Sequence, residues 1–202
     1  AGLARAGYNV LLIDTDTQGQ CSKALGVQPQ AGLAEFVAGE AKAEEAIIQA
    51  RERLSLLAGG RTLAGLKRLI ARKDFGGERT LSEALAPLDS QYDYIVLDSA
   101  PGWDPLSINV LFYSQEILSP VSLEVLTLTG LMDFIQSVES IQQYHEELEL
   151  RYILPTFFDR RVKKSVEIVD QLYKYFGEKL CQPIRYNVRL SEAPGFGQSI
   201  FE

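Results

Sequence analysis

Apolar positions along the chain follow two rhythms. Five short runs are apolar almost throughout: 8–13 (Tyr-Asn-Val-Leu-Leu-Ile), 54–58, 92–97, 116–121 and 151–158. Runs of that length without alternation suit strands of a parallel sheet covered on both faces, because neither face meets water. Elsewhere apolar residues recur every three or four positions. Leu131, Ile135, Val138 and Ile141 form one such stripe, and Val166, Val169, Leu172 and Phe176 form another before Gly177. Each stripe predicts a helix with one buried face. Strands alternating with helices predict an α/β fold, a doubly wound and mostly parallel sheet with helices on both faces. The polar stretch 72–79 predicts a loop. Residues 1–7 read as the last turns of a helix closed by Gly7. No repeat or low-complexity linker interrupts the 202 residues, which read as a single domain, 1–202.

Composition narrows the class. The chain is 46% hydrophobic and 23% charged, ordinary for a globular domain. No apolar run reaches the ~18 residues of a membrane helix, and no basic-then-apolar leader is present. The net charge of -7 argues against a chain coated in nucleic acid, but it permits a local basic patch. Cys21 and Cys181 are too few and too far apart for a disulfide framework or metal cluster, and read as reduced thiols of a cytoplasmic protein. His145, beside Glu146 and Glu147, reads as a surface residue, and Trp103 as packing or a dimer contact.

The chemistry gathers at strand ends. Asp14, Asp16, Asp98 and Asp159 all follow predicted strands, at the sheet edge where α/β folds bind ligands. Alternation places Asp14 and Asp16 on one side of an extended segment. Paired acids there suit a hydrated magnesium ion or a positioned water; a solvated turn has the same composition. The run Tyr92–Leu97 closing on Asp98 has the Walker B pattern, in which a carboxylate holds magnesium through water. The Ser99-Ala100-Pro101-Gly102 that follows suits a loop responsive to a γ-phosphate. Arg160, Arg161, Lys163 and Lys164 form a compact basic group ahead of a helix. Such a group either holds phosphates without reading base sequence or simply solvates the helix start.

Together these segments resemble the ParA/Soj/MinD ATPases, a branch of the P-loop NTPases. Asp14-Thr15-Asp16-Thr17-Gln18-Gly19 is similar to that family's switch I, with Thr17 where proline is usual, and Asp98-Ser99-Ala100-Pro101 to its Walker B and switch II. Leu154–Arg161, followed by Asn187-Val188-Arg189-Leu190-Ser191-Glu192-Ala193-Pro194, resembles the DNA-partitioning members. The resemblance implies ATP and Mg2+ as cofactors. Asp16 would orient the attacking water, Asp14 would support the phosphates, and Asp98 would be the outer-shell magnesium acid. It implies that Tyr186 and Asn187 lie in the adenine-binding region; Arg185-Tyr186 stand where relatives carry Pro-Arg. It also implies DNA contacts at Arg161 and Arg189.

The resemblance further implies a phosphate-binding loop about 20 residues before Asp14. Thirteen residues precede Asp14 here, and no Gly-Lys pair occurs. The expectation is therefore a domain incomplete at its N-terminus, lacking the first strand and phosphate loop, and incomplete at its C-terminus too. The implied function is a cytoplasmic, nucleoid-associated ATPase. It would form a homodimer on ATP binding, hold nonspecific DNA and answer to a ParB-type stimulating protein, without stable membrane association. A MinD-like membrane-cycling ATPase and a non-hydrolysing scaffold are the alternatives. A related iron-sulfur reductase would need cluster cysteines that Cys21 and Cys181 do not supply.

Overall fold

In the computed structural model the described residues are 1–100 and 102–202, with the side chains of 125–128 left aside. Contacts divide a chain read as one domain into two compact units, 1–113 with 189–202, and 114–188, each with its own core.

The first unit holds strands β1 (Val10–Asp14), β2 (Ile47–Arg51), β3 (Leu54–Leu57) and β4 (Tyr94–Asp98) in the order β2-β3-β1-β4. β1 runs parallel to both β3 and β4, and only β2 is antiparallel. The helices α1 (Gly2–Arg5), α2 (Gln20–Ala24), α3 (Leu33–Val37), α4 (Ala43–Ala46), α5 (Leu63–Ala71), α6 (Thr80–Leu85) and α7 (Pro105–Tyr113) are distributed around it. Period-two alternation sorts the strand residues between two apolar layers. Leu11, Ile13 and Leu57 pack with α3, α5, α6 and α7. Val10, Leu54 and Leu56 pack with Ala4 of α1 and Cys21 of α2. Burial on both faces is why these strands read as unbroken apolar runs. β4 is an edge strand of this sheet, and its Tyr94 and Val96 are exposed.

The second unit pairs β5 (Glu116–Ser122) in parallel with β6 (Glu149–Thr156), connected through α8 (Val125–Gln142) and followed by α9 (Lys163–Phe176). Its core is Val121, Leu123, Leu131, Ile153, Ile168 and Leu172. The stripe predicted on α8 is buried at Leu131, Val138 and Ile141. On α9 the buried face runs through Ser165, Ile168 and Leu172, with Val169 and Phe176 packed against the core, while Val166 is exposed, so the expected face is shifted by one residue, about 100°, at its start. His145 is half-buried rather than on the surface, its Nε2 2.9 Å from the Ser114 carbonyl oxygen. Trp103, expected to pack, is exposed.

The chain returns to the first unit with α10 (Val188–Glu192). Arg51 anchors this segment: its guanidinium donates to the carbonyls of Leu25 and Gly197 and pairs with Glu202 at 2.6 Å.

Candidate functional site

The parallel register of β1 and β4 sets Asp14 opposite Asp98, so two strand-terminal carboxylates leave the sheet side by side. Their surroundings differ. Asp14 is buried and accepts from two backbone N–H groups of the loop that follows: Asp16 N to Oδ1 at 2.9 Å and Cys21 N to Oδ2 at 3.1 Å. Burial pushes its carboxyl above the usual range; those two N–H groups oppose this, and nearby Asp98 adds to it. Asp14 therefore shapes the 14–21 loop from within. Asp98 ends β4 exposed, as a group that binds a solvated ligand must be.

The loop is tied to β4 by Thr15. Its backbone N–H and its hydroxyl both donate to the Asp98 carbonyl, at 2.9 and 2.8 Å, and the hydroxyl lies 3.4 Å from Ser99 Oγ. Asp16 is half-buried and accepts from Gln18 N at 3.0 Å, while its own carbonyl receives the N–H groups of Gly19 and Gly60. The polypeptide after β3 closes the other side. A Cβ on Gly59 would lie 2.6 Å from the Asp14 carbonyl oxygen and 2.7 Å from both Asp14 Oδ1 and the Asp16 carbonyl oxygen. Only glycine fits there. Sequence reasoning noted acids at strand ends but assigned no role to Thr15 or Gly59; the Gly59-Gly60 pair directly after a strand was the available signal for a close backbone approach.

One more side chain joins the acids. Cys21, in the first turn of α2, places its Sγ 3.1 Å from Asp98 Oδ2, and ligand atoms of Asp14, Cys21 and Asp98 lie within 4.8 Å of one another. As a donor set the three are mixed: a soft sulfur beside hard oxygens. Magnesium prefers oxygen and keeps its waters, so the exposed Asp98 fits an outer-shell role. The buried Asp14, its oxygens engaged by backbone, does not fit direct ligation.

The remaining expected positions fall on other elements. Tyr186 and Asn187 belong to the second unit and are exposed. The Tyr186 ring is 6.4 Å from that of Phe157, a non-glycine residue at φ 55°. Arg161 is also in the second unit, nearly fully exposed, with its guanidinium held bidentately by Asp159 at 2.7 and 3.0 Å. That pairing pulls the Asp159 carboxyl down to about 2. Lys163 and Lys164 open α9, which has no acid in its first turn. Arg189 lies on α10, exposed, in the first unit. Pro101, part of the switch II resemblance, lies outside the described residues. Cys21 and Cys181 are free thiols. Among the described residues no helix is long and apolar enough to cross a membrane.

Residues 1–150 match the family described as AAA domain. The chain is 34% identical over 202 residues to the chromosome-partitioning ATPase Soj of Thermus thermophilus, covering 99% of this chain and 78% of that protein. It is 31% identical to the sporulation initiation inhibitor protein Soj of Bacillus subtilis, covering 99% and 81%. Among solved structures, cobyrinic acid a,c-diamide synthase from Mycobacterium smegmatis with bound ATP analog and magnesium superposes with a TM-score of 0.83 at 27% identity, covering 96% of this chain and 80% of that one. With its parallel strands, its paired strand-end acids and these relatives, the chain belongs to the ParA/Soj-type partitioning ATPases of the MinD/ParA superfamily.

Proposed function

We propose that this protein binds ATP with Mg2+, hydrolyses it as a dimer closed by the nucleotide, and in that state holds nonspecific DNA to segregate a chromosome or plasmid. The observation that carries the reading is the Asp14–Asp98 register, with the Asp14–Cys21 loop bonded to β4 through Thr15. That arrangement links a loop able to sense the γ-phosphate to the magnesium acid. Magnesium, when bound, would neutralise charge on the phosphates.

The chain's own residues divide the task. Asp98 would hold the hydrated ion from its outer shell. Asp16 orients the attacking water and takes up its proton. Thr15 keeps the two loops in step, so loss of the γ-phosphate is felt on both. Tyr186 and Asn187 serve the adenine side. Asp14, buried, acts on the phosphates only by holding the loop in shape. Arg161 and Arg189 contact DNA phosphates. The basic first turn of α9 supports this, because cations at a helix N-terminus oppose the helix dipole, and Lys163 and Lys164 are offset there only by Glu167 one turn on. A ParB-type partner stimulates turnover, and no stable membrane association is involved.

The lysine and amides that oppose phosphate charge in this family come from a Gly-Lys loop, and the 202 residues contain no Gly-Lys pair. These residues alone accordingly bind ATP weakly. A low-micromolar affinity measured by calorimetry would overturn that point. In the full-length protein Asp16→Ala should lower ATP turnover by about a hundredfold or more, in line with removal of a general base, and leave ATP binding nearly intact. Unchanged turnover would remove Asp16 from the mechanism.

A further inference from the structure

Cys21 is bonded at both ends to the acids of the site. Its backbone N–H donates to Asp14 Oδ2 at 3.1 Å, and its thiol lies 3.1 Å from Asp98 Oδ2. The side chain is buried at the base of α2, next to Leu25 in the apolar layer beneath the sheet, so its rotamer is set by packing. Asp98, in contrast, is exposed at the end of an edge strand of its sheet.

We propose that Cys21 is the positioning residue for Asp98: its S–H donates to Oδ2, fixes the carboxylate's rotation and couples it to the Asp14–Cys21 loop. The inference rests on the reading of Asp98 as the magnesium acid. Geometry favours a donor over a metal ligand. A thiol this close to a carboxylate oxygen, itself an acceptor, is placed to donate its S–H. One oxygen of Asp98 is thereby engaged from the protein side, and the other is left for the waters of a bound cation. Any movement of the loop that shifts α2 turns Asp98 with it.

Two measurements test this. The first uses the 202-residue chain carrying Cys181→Ser, so that Cys21 is the sole thiol. Its infrared S–H stretch should be shifted to low frequency, and should return to the free-thiol position when Asp98→Ala is added. A band already at the free-thiol position, or one indifferent to Asp98→Ala, overturns the inference whether or not the protein is an ATPase. The second uses ATP turnover of the full-length protein against Mg2+ concentration. Cys21→Ala should raise the half-saturating Mg2+ by about tenfold, the scale of one lost hydrogen bond to a charged acceptor. Turnover at saturating Mg2+ should stay within about twofold, and Cys21→Ser, which keeps a donor, should recover most of the loss. An unchanged half-saturation in Cys21→Ala overturns the positioning role. Absence of Mg2+-dependent turnover in the unsubstituted protein instead overturns the proposed function, and the infrared result still decides the bond.

Discussion

Asp14 and Asp98 end adjacent strands in the same register, and what separates their roles is the atoms around them. The 14–21 loop folds its own N–H groups onto Asp14, while Asp98 faces outward. This tight fold is possible only because Gly59 allows the polypeptide after β3 to pass against the loop. Gly59→Ala would drive a methyl group into the Asp14 carboxylate and two oxygens of the loop. The expected result is a loss of about 2–3 kcal/mol of stability, as for other overpacked sites, measured by urea denaturation. Nucleotide-dependent activity of the full-length protein should fall with it. A variant as stable as the parent would show that the loop can move aside. The glycine was visible in the sequence; its closeness to Asp14 was not, because 45 residues separate them.

At the scale of elements, α7 shows local sequence and tertiary contact acting together. Asp104 caps it, accepting from Leu106 N at 2.9 Å and Ser107 N at 3.0 Å, with Pro105 at the first helical position, where its missing N–H costs nothing. Lys67 of α5 pairs with the same carboxylate at 2.6 Å. Burial raises the Asp104 carboxyl, but the Lys67 ammonium and the two N–H groups outweigh it, and the net shift is downward. The sign follows: a depressed acid contributes stability above its unfolded value, near 4 for an aspartate, and loses it as pH falls through the lower folded value. Asp104→Ala should cost about 1–2 kcal/mol at neutral pH, read from denaturant midpoints, and the difference should shrink in acid. A cost that persists unchanged below the carboxylate range would assign it to something other than the ion pair and charged cap. Further along α7, Asn109 is fully buried and joins the helix to Gly77 and Leu81 through its amide. Among the described residues, five of the six strands were legible as apolar runs. β2 was not, because Ile47–Arg51 follows Glu44-Glu45-Ala46 without a turn residue and continues a polar, helix-like composition; only its pairing with β3 makes it a strand.

For the whole molecule, a net charge of -7 means that any hold on DNA must be local. Arg161 is the exposed cation with the most revealing partner, since Asp159 competes with phosphate for its guanidinium. Two substitutions should therefore act in opposite directions in the nucleotide-bound full-length protein. Arg161→Glu should weaken binding to unrelated duplexes and reduce the dependence of log affinity on log salt by about 1. Asp159→Asn should strengthen binding by releasing the guanidinium. Fluorescence anisotropy across a salt series separates the cases, and equal affinities for all three proteins would exclude this face as the DNA surface.

The sequence by itself determined the α/β class, the acids at strand ends and the membership in a family of partitioning ATPases. These follow from local patterns, since burial on both faces writes an apolar run and a motif keeps its spacing wherever it is read. The tertiary structure alone decided which acid is buried and which exposed, that β2 is a strand, that Gly59 closes on the loop, and that Cys21 meets Asp98 across 77 residues of chain. Those facts depend on register and packing between distant segments, and no local pattern of residues encodes such a distance.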